Sequence, residues 1–593
     1  MFANNYFGGK TNMKELMLGN AAVARGLYEA GCRFVSSYPG TPSTEITENA
    51  ALYDELYAEW ASNEKVALEA AVGASIGGAR SFSAMKHVGL NVAADPLFTV
   101  AYTGINGGMV IAVADDQGMH SSQNEQDSRH YARAAKVPML EPSNSKECLE
   151  FTKLAFELSE EYDTFFMLRT CTRVAHSQSI VEISPRQELP LKGYDKNPGK
   201  YVMMPGNAIG RHVVVEEHMN RLREFAETTS LNRIEMAHTE IGFITAGICY
   251  EYVREIFPQA SVLKLGLVNP LPENLIRDFA SQVKKLIVVE ELDGFIESHI
   301  RALSIRVDGG KDIFSPLGEL SQMKIADSMG IILKSQPPFP DAVPARPPVL
   351  CPGCPHRGLF YALSKMNLTV LGDIGCYTLG ALAPLSALDT TLCMGASISS
   401  LHGFNIARGA DSAKTTVAVI GDSTFMHSGI TGLVNIVYNN GISTVLILDN
   451  SITGMTGHQE NPTTGKTLKR TPAPAVSIEK MCEAAGVKRI RVVDPYELDG
   501  LEAALKEELA ADEPSVIIAR RPCALLPAVR ATQGAPLAVD SDVCKSCRAC
   551  MKIGCPAISF ADGKAAIDIS LCTGCGLCTK MCKFSAIGKG GSI

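Results

Sequence analysis

Residues 417–457, VAVIGDSTFMHSGITGLVNIVYNNGISTVLILDNSITGMTG, contain two aliphatic, β-branched runs that each end in a polar turn. The first run stops at Gly421-Asp422-Ser423, and the second stops at Asp449-Asn450-Ser451-Ile452. A helical pattern separates them, so the stretch predicts two parallel strands of a doubly wound α/β sheet. Because parallel strands end at the same edge of a sheet, we expect the two polar turns to lie side by side.

The two turns resemble the thiamine diphosphate motif, in which Gly-Asp-Gly after one strand is followed by Asn after the next. Gly421 would let the turn approach a diphosphate, and Ser423 stands where the motif has its second Gly. Oxygens of Asp422, Asn450 and the Ile452 carbonyl would bind Mg²⁺, which prefers a few protein oxygens together with phosphates. Gly395 is a further candidate for cofactor contact. A Gly-Asp pair after a strand is by itself most often an ordinary turn, so the prediction rests on the combination.

The end of the chain holds eight of its 18 cysteines within residues 544–582. Three cysteines at two-residue gaps followed by a fourth occur twice, which is the pattern of a two-cluster ferredoxin. In those proteins the fourth cysteine of each run binds the other cluster. The predicted 4Fe–4S ligands are Cys544, Cys547, Cys550 and Cys582 for one cluster, and Cys555, Cys572, Cys575 and Cys578 for the other. The competing interpretation is a pair of zinc sites, although zinc CxxC pairs usually have a longer spacer between them.

The composition is that of a large globular protein. The chain has 593 residues, 46% of them apolar and 20% charged, which is more than one hydrophobic core requires. A net charge of −8 and a single Trp favour neither a nucleic-acid binder nor a disordered tail. The sequence predicts no membrane span, and MFANNYFGGKTNMKEL at its start lacks the pattern of a secretory signal. We therefore expect a cytoplasmic protein whose clustered thiols stay reduced and bind metal.

Strand and helix patterns divide the chain into five parts. The first and fourth alternate β-rich runs with helical patterns and predict doubly wound α/β domains. The second opens with a polar, irregular segment at 181–235 and continues as a small α/β domain. The third is a proline-rich linker, and the fifth is a ferredoxin-like α+β module that carries the clustered cysteines. The predicted boundaries are 1–180, 181–333, 334–350, 351–535 and 536–593.

Thiamine diphosphate also needs a carboxylate against its aminopyrimidine, and in this cofactor class a separate α/β domain supplies it. Glu64 opens a helix of small residues that leads into a strand, within WASNEKVALEAAVGASIGGARSFSAMKHVGLN at 60–91. A surface glutamate is the competing interpretation, and Glu69 is a rival. Further polar candidates for the pocket are Lys86, His87, His427 and His458. A histidine near a strand end is, however, more often structural.

Taken together, these residues resemble the 2-oxoacid:ferredoxin oxidoreductases, and among them the α subunits of indolepyruvate ferredoxin oxidoreductases. SSYPGTPSTEI at 36–46 is similar to the family's YPxTPS signature, whose Thr, here Thr41, lies near substrate and cofactor. Residues 63–79 are similar to the family's activating-Glu helix, which favours Glu64, and DNSITGMTG resembles its metal loop. The family's domain order fits nearly the whole chain: pyrimidine-binding, transketolase C-terminal-like, diphosphate-binding and ferredoxin-like.

The same resemblance bears on CPGCPHRG at 351–358. Relatives with a diphosphate-binding subunit use CPGC, a later GIGC and a distal cysteine to bind a further 4Fe–4S cluster. The matching residues here are Cys351, Cys354, Cys376 and Cys523. The competing interpretation is that Pro355 and the altered PHRG context mark a degenerate site, and zinc is a minor alternative.

The resemblance implies an oxidoreductase of aromatic amino acid catabolism. It would decarboxylate an aryl 2-oxo acid, chiefly indolepyruvate, pass electrons one at a time to ferredoxin, and transfer the acyl group to coenzyme A. A smaller β subunit is the implied partner, in an (αβ)2 heterotetramer. Two rival functions remain open: a non-oxidative 2-oxo acid decarboxylase, which has no use for the cysteine tail, and a non-catalytic electron-transfer subunit.

Overall fold

The computed structural model describes residues 13–333 and 347–589, which separate into two compact units on either side of residue 340. The predicted linker at 334–350 lies mostly outside the described residues. Within those two ranges, no helix is both long enough and apolar enough to cross a membrane.

The first unit contains a seven-stranded sheet whose strands are largely buried, apart from the edge strand Tyr57–Trp60. Six strands are parallel, as is usual for a sheet that helices cover on both sides. The seventh, Leu267–Asn269, is antiparallel and comes from the part of the chain that otherwise builds the second domain. In spatial order the strands are Leu267–Asn269, Met139–Leu140, Phe166–Cys171, Met109–Asp115, Ser81–Lys86, Phe34–Ser37 and Tyr57–Trp60.

Helices and one further strand pair complete this part of the unit. Strand Met13–Leu18 pairs antiparallel with Gln178–Ile183. The helices are Gly19–Glu29, Thr44–Ala50, Glu64–Ile76, His87–Val92, Ala94–Thr103, Arg129–Ala135, Ser145–Tyr162 and Thr172–His176.

A four-stranded sheet forms the second domain of the first unit. Its strands are, in spatial order, Lys285–Val289, His238–Ala246, Ala260–Leu265 and Arg233–Glu235, of which only the last is antiparallel. Its helices are Pro198–Tyr201, Pro205–Thr228, Gly247–Ile256, Glu273–Ser281, Phe295–Ala302 and Gln322–Ser328.

The prediction of an irregular segment at 181–235 is wrong over Pro205–Thr228, which is a helix of 24 residues. Its buried residues are few: Val215, Met219, Leu222 and Ala226. A helix that exposes most of its surface shows little hydrophobic periodicity, and that periodicity is the signal on which the prediction depended.

The second unit contains a six-stranded parallel sheet that matches the predicted doubly wound domain. Its strands are, in spatial order, Thr390–Thr391, Thr369–Gly372, Thr416–Gly421, Thr444–Asp449, Ser515–Arg520 and Arg489–Val493. Its α-helices are His356–Lys365, Ala396–Arg408, Asp422–Thr424, Ile430–Tyr438, Ile478–Ala484, Leu498–Leu509 and Pro527–Arg530. Single turns of other helix types are Cys376–Ala381, Ala410–Lys414 and Phe425–Gly429.

The cysteine-rich module is small and antiparallel. Strand Leu537–Val539 pairs with Ile587–Lys589, and Ile558–Ala561 pairs with Lys564–Ile567. The 3₁₀ turn Ala549–Ile553 carries Cys550 of the first predicted run, and helix Leu577–Met581 carries Cys578 of the second.

Candidate cofactor and electron-transfer sites

One edge of the seven-stranded sheet gathers the polar residues that the sequence singled out in the first unit. Strands Tyr57–Trp60, Phe34–Ser37 and Ser81–Lys86 are parallel neighbours. The turns after the first two carry Glu64 and Thr41, and Lys86 ends the third. The three residues therefore lie along the carboxyl ends of adjacent strands, where α/β folds bind ligands.

Glu64 is buried at the start of its helix. Its residue is 4% exposed, and the Asn63 side chain caps the helix by accepting from the Val66 amide at 2.9 Å. A Cβ at Gly89 would stand 2.6 Å from Glu64 Oε1, so the carboxylate occupies space that only a glycine leaves. The rival Glu69 is exposed and pairs with Lys65, as a surface residue does. Glu64 is thus the buried carboxylate of the two, and its role towards the cofactor remains a prediction.

The loop that carries Thr41 is tied to the end of the neighbouring strands. The Thr41 carbonyl accepts a hydrogen bond from Ser121 Oγ at 3.1 Å. His87, the residue after Lys86, is buried, with Nε2 3.1 Å from the Asn124 carbonyl oxygen. Burial lowers the pKa of His87, so the imidazole is neutral near pH 7. It is suited to accept or donate a hydrogen bond rather than to hold an anion.

In the second unit, Asp422 and Asn450 follow two adjacent parallel strands. The register of these strands pairs Gly421 with Leu448. Asp422 is buried, and one of its oxygens accepts from the Ser423 amide at 2.8 Å. The other oxygen, Oδ2, is buried with no hydrogen-bond partner among the described residues. Burial, with the nearby Asp449 carboxylate, raises the pKa of Asp422 to about 7. A buried carboxylate oxygen without a donor suits a bound cation.

The turns around Asp422 and Asn450 are joined by side chains. The Thr453 hydroxyl donates to Ser423 Oγ at 3.0 Å, and the Ile452 amide approaches Asn450 Oδ1 at 3.4 Å. A Cβ at Gly421 would stand 2.6 Å from Tyr377 Cε1, so this turn lies directly on a buried ring. The oxygens of Asp422, Asn450 and Ile452 thus fit a hard cation such as Mg²⁺, and the site roles remain a prediction.

Gly395 precedes helix Ala396–Arg408 in a left-handed conformation, with φ of 87°. A Cβ there would stand 2.7 Å from Ser428 Oγ, so the position has room only for glycine. The buried Asp373 carboxylate accepts from the Gly395 amide at 2.9 Å and from the Ser397 amide at 3.0 Å. These contacts show a packing role for Gly395, and its contact with a cofactor remains a prediction.

The two candidate histidines of this unit differ in their surroundings. His427 is buried with Nδ1 2.7 Å from Ser428 Oγ, close to the Gly395 turn. His458 has a φ of 71° and places Nε2 3.9 Å from Cys523 Sγ. His458 therefore lies at the cysteine group described next.

Four cysteines of the second unit lie close enough to influence one another's ionisation: Cys351, Cys354, Cys376 and Cys523. Burial, with smaller contributions from the thiols of Cys376 and Cys351, raises the pKa of Cys354 to about 12. Burial likewise raises the pKa of Cys376 to about 11, with Cys523 and Cys351 contributing. Burial also raises the pKa of Cys523. A bound metal would reverse this effect, because metals bind the thiolate form, and the role of the four cysteines as cluster ligands remains a prediction.

This cysteine group adjoins the predicted metal loop. Cys376 Sγ is 3.4 Å from the point where a Cβ of Gly454 would stand. The Cys523 amide donates to the Asn450 carbonyl at 2.9 Å. A backbone hydrogen bond thus joins Asn450, a candidate Mg²⁺ ligand, to Cys523, a candidate cluster ligand.

Sequence reasoning missed Arg357, which is only 2% exposed and lies between this group and the cysteine-rich module. Its guanidinium donates to the carbonyls of Cys351 at 3.1 Å and Ile553 at 3.0 Å, and also to those of Leu350 and Gly554. It forms no ion pair with a carboxylate among the described residues. A buried cation without a carboxylate suits an anionic iron–sulfur cluster nearby. Its place directly after CPGCPH was the available signal.

Two small cavities in the module each gather four cysteines. One is lined by Cys544, Cys547, Cys550 and Cys582. The other is lined by Cys555, Cys572, Cys575 and Cys578. These are the two crossed ligand sets that the ferredoxin pattern predicts.

The two cavities differ in what surrounds them. The second is also lined by Pro352, Gly353, Arg357 and Tyr496 of the preceding domain, whereas residues 539–587 alone line the first. Tyr496 donates to the Cys354 carbonyl at 3.2 Å. We call the cavity of Cys555, Cys572, Cys575 and Cys578 the inner cavity, and the other the outer cavity. The inner cavity is the one next to the CPGC group.

The spacing of the sulfurs bears on the zinc alternative. A tetrahedral zinc ion at about 2.3 Å from each sulfur requires sulfurs about 3.8 Å apart. Within residues 13–333 and 347–589, no three cysteine sulfurs lie within 4.8 Å of one another. The cysteine groups are therefore too open for zinc as they stand, and a larger cluster suits them better.

Comparisons with known proteins identify the domains in which these residues lie. The family model for the thiamine pyrophosphate enzyme C-terminal TPP-binding domain matches residues 373–519. The model for the thiamine diphosphate-binding domain of pyruvate flavodoxin/ferredoxin oxidoreductase matches residues 25–240, and the 4Fe-4S binding domain model matches 565–588.

Relatives match along nearly the entire chain. The indolepyruvate oxidoreductase subunit IorA of Archaeoglobus fulgidus is 41% identical, over 97% of this chain and 97% of its own. The protein of the same name from Methanothermobacter marburgensis is 40% identical, over 96% of each chain. A solved 2-oxoglutarate:ferredoxin oxidoreductase from Magnetococcus marinus is 20% identical over 54% of this chain and 65% of its own, with a TM-score of 0.45. That last similarity is too low to support an inference about this chain.

Proposed function

This chain belongs to the IorA subunit family of indolepyruvate oxidoreductases, and we propose that it acts on aryl 2-oxo acids and transfers the resulting acyl group to coenzyme A. It is an oxidoreductase of the ferredoxin-dependent 2-oxoacid class, with thiamine diphosphate-binding domains and a 4Fe–4S-binding domain. Indolepyruvate is the substrate that we expect it to prefer, with phenylpyruvates also accepted. The names of the relatives support this choice.

The residues at the two sheet edges are suited to hold the cofactor. Asp422, Asn450 and the Ile452 carbonyl would bind Mg²⁺, and Gly421, Ser423 and Gly395 would border the diphosphate. The buried Oδ2 of Asp422, which lacks a donor, supports the metal assignment. Glu64 would hold a proton against the aminopyrimidine, and Thr41 would border the substrate. When bound, thiamine diphosphate supplies the electron sink for cleavage of the bond between the carboxylate and the keto carbon.

The observation that carries the proposal is the continuous arrangement of cysteines within the second unit. Cys523 and Cys376 adjoin the loop of Asn450, Cys354 contacts Tyr496, and Tyr496 lines the inner cavity. We propose a cluster at each of the three cysteine groups. Electrons would pass from the CPGC group to the inner cavity, then to the outer cavity, and finally to ferredoxin. A decarboxylase that releases an aldehyde has no electrons to export, so it would not need this arrangement.

Each turnover would release CO₂, form a thioester with the thiol of coenzyme A, and export two electrons one at a time to two ferredoxin molecules. The partners we propose are a smaller β subunit and ferredoxin, in an (αβ)2 assembly. The relatives are named as subunits, which supports a partner chain. The cytoplasm is the expected location.

The test is an anaerobic assay of the chain with its β subunit, indolepyruvate, coenzyme A and methyl viologen. Dye reduction that depends on coenzyme A, with formation of the indoleacetyl thioester, is the expected result. Aldehyde formation without dye reduction would instead identify a decarboxylase. Glu64→Gln should retain its iron and lose dye reduction, whereas Glu69→Gln, the matched control five residues along the same helix, should retain both.

A further inference from the structure

Buried cations in this protein are nearly always paired with carboxylates. Among the described residues, six lysine and arginine side chains are buried. Arg80, Arg129, Arg169 and Lys264 each form an ion pair with at least one carboxylate. The two that do not are Arg357 and Lys86. Arg357 faces candidate cluster ligands, so an anion is already expected beside it. Lys86 is the cation that remains to be explained.

Lys86 lies at the edge of the seven-stranded sheet that holds Glu64 and Thr41. It ends strand Ser81–Lys86 and is 8% exposed. A Cβ at Gly40, the residue before Thr41, would stand 3.3 Å from Lys86 Cγ and Cδ, so the lysine stem packs on the Thr41 loop. Its ammonium group donates one hydrogen bond, to the Ser121 carbonyl at 2.9 Å. An ammonium group has three donors, so two remain for another partner.

The carboxylates nearest to Lys86 are already engaged or lie at a distance. Asp116 attracts Lys86 electrostatically. Its oxygens, however, accept from the Ser121 amide at 2.8 Å and from the hydroxyls of Ser122 at 2.7 Å and Thr172 at 2.9 Å. Glu64 also attracts Lys86, more weakly than Asp116 does. No hydrogen bond or ion pair joins Lys86 to either carboxylate in the part of the chain that the structure describes. Burying an ammonium group with no carboxylate in hydrogen-bond contact is costly, so the two unused donors of Lys86 suit an anionic ligand.

We propose that Lys86 receives the carboxylate of the 2-oxo acid substrate. The proposal rests on the proposed function, in which Glu64 and Thr41 border cofactor and substrate at the same edge. Every 2-oxo acid carries this carboxylate whatever its side chain, so Lys86 would act on the whole substrate class and not on aryl selectivity. Lys86 is thus a binding residue that orients the carboxylate and is distinct from the residues that hold the cofactor.

The chemistry of the reaction predicts how Lys86 affects the kinetics. The bond between the carboxylate and the keto carbon breaks with its electron pair moving away from the carboxylate, which leaves as neutral CO₂. A cation that holds the carboxylate therefore stabilises the bound substrate more than the transition state. Losing it should raise KM without lowering kcat, because ground-state binding is what is lost.

The test is the variant Lys86→Gln, whose amide can still donate to the Ser121 carbonyl and so preserve that loop. KM for indolepyruvate should rise about 10- to 100-fold, the range for losing a charged hydrogen bond, while kcat does not fall. Lys86→Arg should recover part of the loss. Lys196→Gln, at an exposed lysine of the same unit, should leave both constants unchanged.

Binding of unreactive ligands gives a second readout that needs no turnover. The wild-type protein should bind indolelactate more tightly than its uncharged methyl ester, and Lys86→Gln should bind the two alike. If the wild type binds acid and ester equally, the proposal is overturned even if the variant fails to fold. If the variant keeps the preference for the acid, or loses kcat and thermal stability with KM unchanged, Lys86 only anchors the loop. Dye reduction by the wild type tests the proposed function separately from these outcomes.

Discussion

Replacing Gly421 by Ala should weaken cofactor binding by a steric effect that the structure allows us to size. The added Cβ would stand 2.6 Å from Tyr377 Cε1, which is about 1 Å inside the optimal separation of two carbon atoms. The ring cannot easily move away. Tyr377 is 4% exposed, and its hydroxyl donates to the Ile374 carbonyl at 2.7 Å and lies 3.2 Å from Thr424 Oγ1.

Two estimates of the cost agree. Overpacking of a rigid core costs about 1–3 kcal/mol, and breaking both hydroxyl contacts to release the ring costs about 1 kcal/mol each. We therefore expect a loss of about 2 kcal/mol, which corresponds to roughly 30-fold in an equilibrium constant. Because the next residue is Asp422, part of this loss should fall on the affinity for thiamine diphosphate and Mg²⁺. The remainder should fall on thermal stability.

A double-mutant cycle assigns the loss to this contact. Tyr377→Leu removes the ring edge, so Gly421→Ala should cost less than about 0.5 kcal/mol in that background. Tyr377→Phe keeps the ring, so in that background Gly421→Ala should cost nearly as much as it does in the wild type. Calorimetric titration with thiamine diphosphate at fixed Mg²⁺ measures the loss of cofactor affinity, and thermal melting measures the loss of stability. If the two substitutions are additive, the contact with the ring does not account for the effect, and the reasoning fails.

Three further predictions concern metals and protons. Cys376→Ala should lower the iron content of anaerobically purified protein from about twelve to about eight per chain, and an unchanged content would leave the CPGC group without a cluster. Because the pKa of Asp422 is raised to about 7, Mg²⁺ must displace a proton at lower pH. Affinity for Mg²⁺, titrated in the presence of thiamine diphosphate, should therefore fall about tenfold per pH unit below 7, and a flat profile would exclude Asp422 as a ligand. Burial raises the pKa of Glu291 to about 7, above its unfolded value, so the folded state binds the extra proton. Stability should then decline from about pH 4.5 to pH 7, by up to about 3 kcal/mol in total. Glu291→Gln should flatten that part of the melting-temperature profile, and a slope equal to that of the wild type would contradict the assignment.

The sequence predicted the strands that have strong apolar runs and the residues that follow them. Asp422 and Asn450 could be placed side by side because parallel strands share an edge, and the register of Gly421 with Leu448 agrees. The crossed cysteine sets could be predicted because ligand spacing within each run constrains the loop. Family comparisons confirm the predicted fold class and the α-subunit resemblance.

What could not be predicted depends on contacts between distant parts of the chain. Arg357 is explained by carbonyls that lie 196 and 197 residues further on, at Ile553 and Gly554. Lys86 has no carboxylate in direct contact, and the sequence could not show this because the hydroxyls that engage Asp116 come from other parts of the chain. Helix Pro205–Thr228 was missed because its exposed faces carry no apolar period. No local pattern encodes the partners of Arg357 or the hydroxyl groups that engage Asp116.

The antiparallel strand Leu267–Asn269 closes one edge of the sheet that carries Glu64. A recombinant fragment that stopped after residue 235 would therefore lack this strand and leave the backbone groups of Met139–Leu140 open to solvent. Open edges of this kind recruit strands from other molecules, so such a fragment should aggregate or swap segments between copies. Anyone wishing to study the Glu64 domain alone should keep the chain at least through Asn269, even though this includes much of what the sequence divides off as a separate domain.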